Sequence, residues 1–154
     1  MKTWGGPCPN CKSDNTEINY LEYDLPEIGR ILIVSFLCHN CLLRYSDIFP
    51  ESIKLKDYRI TIESIDDIRN KRIYKIPEFE IKLEEVGIEI KQISKSKFMV
   101  YTVDGFIMEI IDFLKEYSKN IEDKREEINE KIKYLEEVLE GKRRLTISIK
   151  KSIS

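Results

Sequence analysis

Three observations predict an α+β fold: CPNC at 8–11 repeats its spacing as CHNC at 38–41, short β-type segments recur from 53 to 93, and the apolar period then lengthens to that of helices. Together they give a zinc ribbon over 1–50 at the N-terminus. A β-rich barrel- or sandwich-like domain follows over 51–154, carrying a two-helix antiparallel hairpin at about 104–140 and a closing C-terminal strand.

The two cysteine pairs hold all four cysteines of the chain and are separated by 26 residues. Two cysteines with two residues between them can turn their sulfurs toward one point, because the intervening chain forms a tight knuckle, and two knuckles complete the tetrahedron that zinc prefers. Pro9 and Asn10 in one pair, and His39 and Asn40 in the other, are turn-compatible. Cys8, Cys11, Cys38 and Cys41 are therefore the expected metal ligands. A thioredoxin-like redox pair calls for one CxxC beside a βαβ pattern, structural disulfides call for an oxidising compartment, and a catalytic zinc keeps one position open for water. The doubled spacing favours a closed structural site over all three. His39 could replace a cysteine ligand, but the thiol set is complete without it, so it reads as an exposed loop residue.

Between the knuckles, TEINYLEYDLPEIG and RILIVSFLC read as two β-arms, with Pro26 and Gly29 punctuating their connection. Beyond Ile53, the segments KLKDYRITIESI, RIYKI, FEIKLEEV and IEIKQI are strand signals separated by Asp66, Asp67, Asn70, Pro77 and Gly87. The stretch VDGFIMEIIDFLKEYSK then gives a helix with a broad apolar face, with Asp104 expected at its amino cap. A second helix is expected from about Ile121 to Glu140, carrying Ile121, Ile128, Ile132, Leu135, Val138 and Leu139 on one stripe and stopping at Gly141. The basic cluster Lys142, Arg143 and Arg144 complements that helix end, and LTISI alternates as a half-buried final strand.

With 42% hydrophobic residues the chain can bury a core. MKTWGGPCP lacks the apolar region of a signal peptide, and ILIV at 31–34 is too short to span a bilayer, so the cytosol is the expected location. The formal charge is −2, and the first fifty residues set Lys2, Lys12, Arg30 and Arg44 against Asp14, Glu17, Glu22, Asp24, Glu27 and Asp47. This is not the footprint of a nucleic-acid binder. The chain has one histidine, no Gly-rich phosphate loop and no nucleophile motif, so the expectation is a protein that is not an enzyme.

The ordered set CPNC, LPEIGRILIVSFLCHNC, RIYKIPEFEIKL, YTVDGFIMEI, the second helix with Gly141, and LTISI resembles the ZPR zinc-finger family, in its archaeal single-module form, over nearly the whole chain. The resemblance implies a zinc ribbon followed by a β-rich domain with a helical hairpin. It also implies a non-catalytic role as a chaperone or binding factor for translation elongation factor one-alpha, with Cys8, Cys11, Cys38 and Cys41 as zinc ligands. Pro26, Ser35, Phe36, Ile76, Pro77, Glu78, Thr102, Val103 and Gly105 also match the family pattern. Their residue types suit turns (Pro26, Pro77), core (Phe36) and helix-start geometry (Thr102, Gly105). Two departures stand out. Leu42 follows Cys41 where the family usually has glycine, an arrangement expected to expose Leu42 and Leu43, and Lys150 and Lys151 stand where the family's strand runs on into an acidic segment. The alternative is a nucleic-acid-associated zinc ribbon of transcription or translation, and a third class is an enzyme built on a pocket of the β-rich domain.

Overall fold

The computed structural model describes residues 1–25, 28–53, 57–91 and 98–151; Pro26, expected in a turn, lies outside them. The chain divides into two compact units, Met1–Leu55 and Lys56–Ser154.

The first unit is one antiparallel sheet in the order β1-β2-β3-β4, formed by Lys2–Trp4, Thr16–Leu25, Gly29–Cys38 and Arg44–Ile53. β2 and β3 are the two arms read from the sequence, paired from Thr16 opposite Cys38 to Leu25 opposite Gly29. That register sets the start of one arm beside the second knuckle. β4 carries the unit past position 50 and had no counterpart in the sequence reading. Its segment RYSDIFPESI lacks a clean alternation, and Pro50 is tolerated because β4 is an edge strand with a bulge in its pairing to β3.

The second unit has the expected α+β composition, but its sheets are open rather than closed into a barrel. One has the order β5-β10-β7-β8, from Tyr58–Ile62, Leu145–Lys151, Phe79–Leu83 and Ile88–Ile90; the other pairs β6 (Arg72–Lys75) with β9 (Met99–Thr102). β10, expected as a half-buried closing strand, therefore lies between β5 and β7. It is buried on both faces from Leu145 to Ile149. The polar residues that alternate with its isoleucines are satisfied internally. Glu85 accepts from the backbone and the hydroxyl of Thr146 at 2.7 and 2.8 Å, and Glu84 accepts from Ser148 at 2.6 Å.

Among the described residues, this unit also holds the helices α1 (Ile65–Asn70), α2 (Val103–Asn120) and α3 (Arg125–Leu139), with α2 and α3 packed as the expected hairpin. α1 occupies residues read as a strand end and separators. Its amino end is fixed by Ser64, whose hydroxyl accepts from the Asp67 amide at 3.2 Å. Asp104 does not cap α2. Thr102 does, accepting from the Gly105 amide at 3.2 Å, because it is the extended residue that precedes the first turn, whereas Asp104 lies within that turn. α3 begins four residues later than expected, leaving Ile121 in the connection. Its end is a Schellman motif. Gly141 at φ +78° directs its amide to Val138 and the next amide, of Lys142, to Glu137. Lys142, Arg143 and Arg144 pair with Glu140, Glu137 and Glu85, and the guanidinium of Arg143 lies over the Tyr134 ring. No described helix is long and apolar enough to cross a membrane.

The Ser148 hydroxyl, together with the charges of Arg59, Lys82 and Lys150, holds the Glu84 carboxyl below its ordinary range against the opposing effect of burial. A depressed carboxylate stabilises the fold above its unfolded value of about 4.3 and stops doing so as pH falls through the folded value. Ser148→Ala should therefore lower Tm at pH 7 and cost progressively less in acid, the two melting curves converging below pH 4.3 or so. A pH series of thermal melts from 3 to 7 measures this. A Tm difference that persists undiminished at pH 3 would mean that the hydroxyl acts by packing alone.

Candidate metal centre

The first unit places Cys8 and Cys11 on the loop between β1 and β2, and Cys38 and Cys41 at the end of β3 and just beyond it. All four sulfurs lie within 4.8 Å of one another, with Cys8–Cys41 at 3.7 Å and Cys11–Cys38 at 3.6 Å. A tetrahedron of sulfurs each about 2.3 Å from a zinc ion has edges of about 3.8 Å, so the donor set fits the group. None of the four is in a disulfide. Cys8 and Cys38 are fully buried with Phe36, and Ile18 and Leu43 pack against this cluster.

The two knuckles repeat one another. In each, the amide after the second cysteine returns to the carbonyl of the first, Lys12 to Cys8 at 2.9 Å and Leu42 to Cys38 at 3.0 Å. This turn forces left-handed backbone on non-glycine residues, φ +67° at Lys12 and +66° at Leu42, at a cost of about 1 kcal/mol each. Leu42 points into solvent, 73% exposed, whereas Leu43 tucks against the cluster. Of the two leucines expected to be exposed, only Leu42 is.

N–H groups converge on the sulfurs. The Asn10 amide reaches Cys8 Sγ at 3.4 Å, the Cys41 amide reaches Cys38 Sγ at 3.5 Å, and Asn40 Nδ2 reaches across to Cys11 Sγ at 3.4 Å. The Asn40 amide and the Ser13 backbone lower the Cys11 thiol to about 6, and Asn10 lowers Cys41. For Cys38 the Cys41 amide works downward, but burial and the adjoining thiols prevail and push it up to about 11. Each asparagine thus favours the thiolate of the opposite knuckle, a role that sequence reasoning missed. The signal was present, since both pairs carry Asn immediately before their second cysteine.

His39 stands apart from the sulfurs, with Nε2 3.3 Å from Glu17 Oε1. The remaining family-matched positions have structural surroundings. Phe36 is buried and stacked on Tyr45 at 4.9 Å, and Ser35 shares a hydrogen bond with Ser46. Pro77 and Glu78 form the turn between buried Ile76 and Phe79, and Val103 is fully buried. The second unit contains a cleft of about 320 Å³ whose lining is mainly apolar, with Tyr101, Lys75, Glu89 and Glu109 as its polar members.

No family model matches the chain. Over 147 residues it is 32% identical to a protein of Methanocaldococcus jannaschii named uncharacterized ZPR1-like protein, an alignment covering 91% of this chain and 72% of that one. Over 152 residues it is 28% identical to another protein with that description, from Pyrococcus horikoshii, covering 94% of this chain and 67% of the relative.

Proposed function

We propose that this chain, which belongs to the ZPR1-like family, is a zinc-stabilised binding protein that acts without catalysis as a chaperone or binding factor for translation elongation factor one-alpha. The observation that carries this reading is the complete sulfur cluster. Four thiolates fill the coordination of zinc and leave no position for a reactive water, so the ion supplies rigidity and its effect is exerted through the surface it shapes. The GTPase partner follows from the family resemblance. A stiff ribbon ending in a long edge strand is the kind of element that can shield the strand edges of an incompletely folded client.

The test is binding between the purified zinc-loaded chain and elongation factor one-alpha. The expected result is a one-to-one complex that forms more tightly with the nucleotide-free or GDP-bound GTPase than with the GTP-bound form. A native-lysate pulldown that returns no GTPase, together with no complex between the purified proteins, overturns the partner. A salt titration with single-stranded RNA separates the nucleic-acid alternative, which requires affinity that falls steeply with salt.

A further inference from the structure

The sheet β5-β10-β7-β8 ends on β8, whose residues Ile88–Ile90 pair only with β7 among the described residues. The register decides which of its backbone groups face outward. The Glu84 amide donates to the Thr146 carbonyl at 3.0 Å, across β7 and β10. Backbone groups of an antiparallel strand turn to one side and then the other, so Lys82, two residues earlier, also faces β10, while Ile81 and Leu83 face β8. Their partners Ile90 and Ile88 are thereby engaged. Glu89, opposite Lys82, directs both its N–H and its C=O to the open edge.

That edge opens on the cleft of about 320 Å³ beside α2. Ile88, Glu89 and Ile90 all line it, although successive side chains of a strand point to opposite faces. The Glu89 carboxylate is on the other face, 3.9 Å from Lys82 Nζ, where both residues border a separate polar hollow with Ser148. Glu89 therefore meets the cleft through its backbone. Phe106, Ile110 and Phe113 of α2 form an apolar wall opposite. Besides Glu89, the charged residues of the lining are Lys75 and Glu109, one of each sign, so the cleft has no net charge with which to hold a small ion. An unpaired amide and carbonyl beside an apolar wall are what an added strand satisfies.

We propose that the cleft takes an extended peptide segment, which adds to the sheet beside β8 and exchanges hydrogen bonds with the Glu89 N–H and C=O through its central residue. Alternation then fixes the chemistry of the segment. Its central side chain shares a face with Lys82 and Glu89, where a lysine or arginine beside the Glu89 carboxylate continues the alternation of charge. The residues before and after it share the face of Ile88 and Ile90, meet α2 and are apolar. A second copy of this chain fits poorly, because β8 laid antiparallel on β8 about Glu89 sets two carboxylates opposite one another. The site stands whether or not the GTPase is the partner.

The probe is a capped, fluorescein-labelled pentapeptide with a central lysine between valine and phenylalanine and a threonine at each end, titrated with the full chain and followed by anisotropy. A second peptide carries an N-methyl group on that lysine, which removes the amide that donates to the Glu89 carbonyl, and should bind about tenfold more weakly. Phe113→Ser takes an exposed side chain from the wall, so the fold should be kept while the first peptide binds about fivefold more weakly. Amide exchange at Glu89, followed by NMR, should slow when the first peptide binds. If both peptides bind equally and Glu89 exchange is unchanged, the cleft is an apolar pocket without strand addition and the proposal fails. Neither peptide binding the folded chain overturns it as well. Glu89 exchange that is already slow without peptide and quickens on dilution assigns the edge to a second copy, which also overturns it.

Discussion

Cys38→Ser should unfold the unit Met1–Leu55 and leave the helices in place. Cys38 is fully buried, and the core around it consists of Cys8 and Phe36 with Ile18 and Leu43 packed alongside. So small a cluster cannot offset the conformational entropy of ordering the two knuckles. A structural zinc contributes on the order of 10 kcal/mol to folding, more than the total stability of many domains of this size. Serine offers a harder, less acidic donor than a thiolate, so the variant loses most of that contribution. Two probes separate the units. Trp4 is the chain's one tryptophan, and its indole nitrogen donates to the Asp14 carbonyl next to the first knuckle. The described helices α1, α2 and α3 lie in Lys56–Ser154. Trp4 is exposed but held by its hydrogen bond to Asp14, so its fluorescence anisotropy should fall on substitution, or on treating wild type with a strong chelator, while ellipticity at 222 nm stays nearly constant. Metal analysis should fall from one equivalent to well below it. Because every ligand must give up its proton, wild-type affinity should also fall as pH drops, and Cys38, raised to about 11, is one thiol whose proton must be displaced on loading. A Cys38→Ser protein that kept one equivalent of zinc and an unchanged Trp4 anisotropy would refute the structural role of the ion.

What the sequence revealed depended on how local each signal was. The knuckles, the β2–β3 arms and the stop at Gly141 were legible because each is fixed by residues a few positions apart, whether a CxxC spacing, β-branched runs or a glycine past an apolar stripe. β4 was not, because Ser46, Asp47 and Ser52 look like loop and the segment becomes a strand only by pairing with β3. The helix caps were legible in kind but not in position. Thr102 and Asp104 are both good capping types, and only the extended backbone at Thr102 decides between them. The central place of β10 was hidden for a different reason. Thr146 and Ser148 alternate with isoleucines as a solvated face would, but Glu85 and Glu84, more than 60 residues earlier, take that face over. In the candidate metal centre the four cysteines that cluster were visible from spacing. The hydrogen bond from Asn40 to Cys11 crosses from one knuckle to the other and forms only once the arms have paired.

Ile147→Ala tests that central placement most directly. Ile147 is opposite Ile60 on one side and Leu83 on the other, and all three are buried. Truncating a buried isoleucine costs 2–5 kcal/mol, depending on how far the surroundings can collapse into the space. Collapse is restricted here, because the backbones on either side are held in register by ladders running from Tyr58 to Ile62 and from Phe79 to Leu83. The expected cost is therefore in the upper half of the range, about 4 kcal/mol. With a urea dependence of about 1–1.5 kcal/mol/M for a unit of this size, the midpoint followed at 222 nm should fall by about 3 M. Ile147→Val removes one methylene and should cost about 1 kcal/mol, so a graded pair distinguishes cavity formation from outright misfolding. An edge strand with one solvated face would behave otherwise, since water could fill the space left by the side chain and the loss would stay near 1 kcal/mol. A shift that small for Ile147→Ala would contradict the order β5-β10-β7-β8 and return β10 to the closing position that its alternating sequence suggests.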